Sequence, residues 1–290
     1  LERWGPVVTV PVLLLVLTFG LLAQATPARA ATLDVCPGTG TYTTIQSAVD
    51  VAASGDIIHI CTGNYNENVD LTGVGGDITL EGDSAVIIWP DSGTAIFVTG
   101  GQYPGNITLR NLTASSVNGV AVDFSTGIAG NLVISGSSIS DAEFAGLYAG
   151  PVTGQVWITN TDFAGNGWAG ANLISERPSE ECLVPDNIPV AISLYHVDAT
   201  DNAYEGVSAS TTCGNIVVTD STADDNESDG FLLSSTELNS RVIVIGSSAD
   251  ENGDPPQGFG SGFRIEANNL TMHDTSATGN SADGITRVGL

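Results

Sequence analysis

"VWITNTDFAGNGWAGANLIS" (156–175), "ISLYHVDATDNAYEGVSAS" (192–210), "IVVTDSTADDNESDGFLLS" (216–234) and "LTMHDTSATGNSADGITRV" (270–288) share one plan. Each starts as an alternating strand, steps through small residues to an Asn, and reaches a Gly followed by a second short strand. The Asn recurs as Asn166, Asn202, Asn226, Asn252 and Asn280, and the Gly as Gly170, Gly206, Gly230, Gly262 and Gly284. Gly119 and Gly146 mark two earlier copies that lack the Asn. A self-similar period of mostly about two dozen residues is the signature of a solenoid built from stacked coils.

The apolar residues fit that reading. Ten and eight positions before each Asn stand Val156/Ile158, Ile192/Leu194, Ile216/Val218, Val242/Val244 and Leu270/Met272. A second set follows the Gly: Ala171/Leu173, Val207/Ala209, Phe231/Leu233 and Phe263/Ile265. Residues two apart on a strand share a face, so each pair points inward, and stacked coils align the pairs into ladders. One coil cannot bury these faces alone; only the stack makes a core. The Asn column is expected to occupy the left-handed backbone region of a sharp bend, which Asn tolerates, and to link coils through its amides. The Gly column is expected to serve the same bend.

Upstream lies "YTTIQSAVDVAASGDIIHICTGNYNENV" (42–69). Ile45, Ala48, Val49 and Ala52 have helical apolar spacing, Gly55-Asp56 makes a turn, and Ile58 and Ile60 begin an inward-facing strand. Together with the repeats, this segment resembles the secreted right-handed β-helix repeat proteins of the pectin-lyase-like superfamily. The resemblance implies an all-β, right-handed parallel β-helix with a short N-terminal capping helix, residues 31–70 forming the cap and first coil and 105–290 the repeated coils. It implies little about activity, since the superfamily holds lyases, esterases, hydrolases, epimerases and non-catalytic surface proteins.

Residues 1–30 read as a signal peptide: Arg3 is the basic start, 7–23 an apolar run, and Ala28-Arg29-Ala30 a small-x-small cleavage site. The expected location is therefore secreted or cell-surface. The whole sequence carries 33 acids against 7 Arg and no Lys, a net charge of −26. Without Glu2, Arg3 and Arg29 the balance is 32 acids against 5 Arg, or −27. Such a field opposes nucleic acid and anionic membranes as partners. Export makes disulfides plausible, and proximity pairs Cys36 with Cys61 and Cys182 with Cys213. Polar "SERPSEECLVPDNIP" (175–189) and "GDPPQGFGS" (253–261) interrupt the coils as loops. No capping segment is evident near Leu290, so the chain is expected to be a monomer or part of a longer one.

Chemistry is harder to read. Pectin esterases carry a D-F-I-F-G motif with an upstream Gln-Asp pair; here "VDFSTG" (122–127) and "TDFAGN" (161–166) keep only Asp-Phe, so Asp123 and Asp162 read as exposed strand-end or turn acids. Lyases of the fold use an Arg or Lys base, for which Arg264, with Glu266 two residues on, is the weak candidate; it should stack beside Leu232 and Thr286. Aligned on the Asn, Asp201, Asp225 and Glu251 form one column and Asp224 and Asp250 the next. At a coil spacing of about 4.8 Å such carboxylates suit a hard cation, which makes Ca²⁺ the expected cofactor if there is one. His59, His196 and His273 are too scattered for a metal site, Tyr148, Trp157 and Tyr195 offer sugar-stacking surfaces, and Asn106, Asn111, Asn226 and Asn269 lie in sequons. The expectation is a binding or scaffold module toward polysaccharide or cell-surface glycan; the alternative is a polysaccharide lyase or glycoside hydrolase.

Overall fold

A computed structural model of the chain describes residues 29–183, 188–253 and 259–288; the leader through residue 28 and most of the 253–261 insertion lie outside these. Two sheets, one of thirteen strands and one of nine, wind about a common core. Every strand pairing is parallel and joins equivalent positions of successive coils: Val156, Ile192, Ile216, Val242 and Leu270 stand in register in the first sheet, and Val207, Phe231 and Phe263 in the second. This is an all-β parallel β-solenoid.

The alternation in the sequence becomes alternation of burial. Phe231–Ser235 and Asp56–Ile60 each run buried, half-buried, buried along their length. The inward pairs from Val156/Ile158 to Val242/Val244 are fully buried, each side chain adding about 1.5–3 kcal/mol of hydrophobic stabilisation. Phe231 and Phe263 stack with ring centroids 5.3 Å apart. In the last coil, Leu270 and Met272 are only partly buried. At the other end, the helix Ile45–Val49 buries Ile45, Ala48 and Val49. Thr44 caps its start by accepting a hydrogen bond from the Ser47 amide, and both oxygens of Glu67 accept from the Ile45 and Gln46 amides.

The long strands of the first sheet turn twice. The first turn is at a column of positive-φ residues, Asn160 (φ 48°), His196 (φ 51°) and Asp220 (φ 46°). The second is at Asp201 (φ 54°), Asp225 (φ 56°) and Glu251 (φ 55°). That second column corrects the expectation for the Asn ladder: the left-handed residue is the one just before each Asn, an acid before Asn202, Asn226 and Asn252 and a glycine (Gly165, Gly279) before Asn166 and Asn280, and the ladder Asn are not among the positive-φ residues described. Asn166, Asn202, Asn226 and Asn252 are instead buried. Each donates its side-chain amide to the carboxamide oxygen of the next, at 2.9, 2.9, 2.9 and 3.1 Å, ending on Asn280. The backbone amide of each donates to the same oxygen.

The recurring Gly needs space rather than conformational freedom. A Cβ on Gly206 would lie 2.9 Å from the Asn226 side-chain nitrogen and 2.7 Å from the Gly230 carbonyl oxygen. The ladder amides therefore exclude any side chain there.

The disulfides Cys36–Cys61 and Cys182–Cys213 span 5.0 and 5.8 Å between Cα atoms. Each closes a loop of 25 or 31 residues, worth about 3 kcal/mol in the chain-entropy model. The second fastens the 175–189 loop, where Asn239 also donates to the Cys182 carbonyl at 3.0 Å.

Candidate functional site

Between the two bends each coil contributes a short run: Ser138–Ser140, the end of Val156–Ala164, the end of Val190–Thr200, and Thr222–Asp224. Alternation turns Ile139, Phe163, Ala199 and Ala223 inward, where they are buried. The remaining positions face outward as a grid. One column reads Ser138, Asp162, Asp198, Thr222 and the next Ser140, Ala164, Thr200, Asp224. Two adjoining depressions of about 440 and 770 Å³ lie over this face and share Ser138 and Asp162. The first reaches back to Asp83 and Asn111, and the second extends to Asp141 and Asp201. The result is a groove running along the solenoid axis, lined by hydroxyls, carboxylates and amides, with no Arg or Lys in its lining.

The groove acids interact. Partial burial, and then the charge of neighbouring Asp198, hold the Asp162 carboxyl above the usual carboxylate range. Burial is also the main cause of the upward shift at Asp224; Asp250, Asp225 and Asp198 add to it, while a hydrogen bond from the Asp250 amide works against it. Asp198 accepts from the Thr222 hydroxyl at 2.7 Å. Asp162 thus lies within a strand as part of a pair, rather than at a strand end or turn as expected. Asp123 likewise lies within a strand, Val122–Phe124, rather than at its end, and its carboxylate accepts the amide of Ser125 in the turn that follows, at 2.8 Å. The pairing signal was present in the sequence, four residues before the first two ladder Asn, where Asp162 precedes Asn166 and Asp198 precedes Asn202.

The five acids considered for Ca²⁺ form lines rather than a cup. Asp201, Asp225 and Glu251 face solvent at the bend. Asp224 accepts the Asp250 amide at 2.8 Å, and Asp250 accepts the Thr278 amide and hydroxyl. Among the described residues no three His, Cys, Asp or Glu converge on a common point. Asp224 and Asp250 thus each use Oδ1 to hold the following coil, and Asp201, Asp225 and Glu251 remain as the solvent-facing carboxylates of the bend.

Arg264 and Glu266 lie on the second sheet, away from the groove. Arg264 is flanked in register by Leu232 and Thr286, and its guanidinium lies 4.0 Å from Asp229 and 3.8 Å from Glu266. Of the histidines, His59 bridges two carboxylates, Asp34 at 3.0 Å and Asp83 at 3.2 Å. His196 and His273 contact Asp220 and Asp274 at the bends. Trp157 and Tyr195 are exposed, whereas Tyr148 is half-buried. Sequence reasoning passed over another aromatic set, Phe144, Trp168 and Tyr204, which stand on successive coils just beyond the second bend.

The family model for the right-handed β-helix region matches residues 94–289. The chain belongs to the right-handed β-helix family. Among solved structures, this β-helix is similar to the pectin methylesterase from Aspergillus niger, with a TM-score of 0.50, 14% identity and 91% of each chain covered. It is also similar to pectate lyase Pel9A, with a TM-score of 0.48, 17% identity, and coverage of 87% of this chain and 63% of that one. The A-module of the mannuronan C-5 epimerase AlgE4 from Azotobacter vinelandii gives 0.36 at 15% identity, covering 85% of this chain and 92% of its own. At these identities the likeness is one of fold, and the β-helix spans under two thirds of the pectate lyase's length. No curated protein sequence matches it.

Proposed function

We propose that this β-helix is an extracellular glycan-binding and scaffold module that holds an extended sugar chain in the groove between its two bends. The supporting observation is the polar grid itself: hydroxyl and carboxylate side chains repeat at the coil spacing of about 4.8 Å along an open groove. Such groups accept and donate hydrogen bonds to sugar hydroxyls, and the regular rise suits a polymer of repeating units. The two disulfides suit an oxidising compartment, and no described helix is long and apolar enough to cross a membrane. That a structure of the same fold is a pectin methylesterase is in keeping with a carbohydrate partner.

A second reading, a polysaccharide-active enzyme, is favoured by the Asp162–Asp198 pair, whose environment keeps a proton on Asp162 to higher pH. Such a carboxyl can serve as a general acid. Arg264 with Glu266 is the alternative centre, on the second sheet, for proton abstraction.

A glycan panel against the full chain, with Asp198→Ala in the groove and Arg264→Ala on the second sheet, separates these readings. The binding reading expects loss of affinity only in Asp198→Ala, with oligosaccharide length unchanged after incubation. Shortened or unsaturated products that vanish in Asp162→Asn, or in Arg264→Ala, would replace it with the enzyme reading. Repeating the panel with Ca²⁺ and with chelator is expected to change neither binding nor melting temperature.

A further inference from the structure

Phe144, Trp168 and Tyr204 occupy one column on three successive coils, two residues past the buried ladder position, and are 51%, 41% and 51% exposed. The Trp168 and Tyr204 rings meet edge to face, with centroids 6.1 Å apart. Single exposed aromatics are ordinary on a protein surface. Three in line, at a rise of about 4.8 Å per coil, form an apolar strip of the kind that marks a binding surface.

The surroundings restrict what can cover it. Glu143 and Glu205 are sequence neighbours of the rings, and Glu227 stands on the next coil. No Arg or Lys occurs in residues 111–176 or 178–240, the segments that build the strip and all of the groove but its end at residues 83–86. A second copy of the chain would bring a net charge of −26 against the same surface, and like-charge repulsion opposes that. A uronate polymer or nucleic acid is opposed for the same reason. Aromatic faces and flanking carboxylates both favour a cation: the ring quadrupole attracts it, and the carboxylates neutralise it. The repeated spacing favours a polymer with regularly placed charges over a single small ligand.

We propose that this strip is a stacking line for a linear glycan bearing free amino groups. Sugar rings lie on Trp168 and its two aromatic neighbours, and their ammonium groups face Glu143, Glu205 and Glu227. The inference rests on the glycan-binding reading and adds to it a second contact line and the sign of the ligand's charge.

The test is calorimetric titration of the full chain with a β-linked glucosamine oligomer. Its fully N-acetylated counterpart, polygalacturonate and an oligolysine of equal charge are titrated in parallel. The amino oligomer should bind at least about tenfold more tightly than the N-acetylated one, with the gap closing as salt is added. Trp168→Ala should weaken it by about tenfold and Trp168→Phe should restore most of the loss. Changing Glu143 and Glu227 to Gln should remove the preference for the amine. Equal binding of the N-acetylated oligomer, or equal binding of oligolysine, overturns the proposal. Glycan binding that depends on Asp198 but not on Trp168 overturns it while leaving the groove reading intact. If no glycan of any charge binds, both fail.

Discussion

The coils before and after Val156 are fastened by two different polar ladders. The early coils use Asp77, Asn106, Asn131 and Gln155 at the entry to the first sheet, where the oxygen of each of the first three accepts the backbone amide of the next at 2.7–2.8 Å. These residues are exposed or half-buried. The later coils use the Asn166–Asn280 ladder, whose members from Asn166 to Asn252 are buried. The direction is also reversed, since there each oxygen accepts from the preceding coil. The chemistry is the same but the solvent access differs, so the two ladders should differ in what their loss costs.

The largest expected effect is at the buried ladder. Asn226→Ala removes an acceptor shared by two Asn202 donors and a donor to Asn252 and Ala199. Leaving these groups buried and unpaired should cost about 3 kcal/mol in urea unfolding. Asn106→Ala opens a half-buried site that water can reach, and should cost about 1 kcal/mol. Equal costs would mean that burial is not what distinguishes the two ladders.

Smaller effects depend on pH. Burial alone would lower the His59 pKa, but hydrogen bonds and charge from Asp83 and Asp34 outweigh it and raise it above 6.5; Glu81 faces it in register from the next coil. A raised imidazole pKa stabilises the folded state fully below the unfolded value, and that gain disappears as pH rises through the folded value. The melting-temperature deficit of His59→Gln should therefore be largest in acid and shrink above neutrality. A deficit independent of pH would assign His59 a packing role only. Asp162 shifts stability in the same pH sense, but its variant gains stability whereas that of His59 loses it. Its raised carboxyl pKa means that ionisation opposes folding, so Asp162→Asn should slightly raise the melting temperature at neutral pH, with the gain gone below the ordinary value of 3.8.

The solenoid was legible in the sequence because its cause is periodic. Val156/Ile158 and their counterparts recur at fixed distance from an Asn, and parallel stacking then follows from the need to bury one face per coil. The backbone role of that Asn was not legible. Asn and Asp both tolerate positive φ, and only the fold shows that Asp201 and Asp225 take the bend while Asn202 and Asn226 turn inward. The second ladder was hidden because Asn106 and Asn131 lie outside the repeated motif and Asn106 reads equally well as a sequon. The groove was missed for a related reason. Aligning on the Asn drew attention to the acids immediately before it, whereas Asp162 and Asp198, four residues before, lie on the outward face between the bends.

The most direct test of the glycan-binding account is a calorimetric titration of the full chain with linear oligosaccharides, followed by sizing of the recovered sugar. The account predicts saturable binding that Asp198→Ala weakens and Arg264→Ala leaves alone, with the sugar recovered at its original length. Absence of binding to every glycan, or recovery of shortened chains, would contradict it.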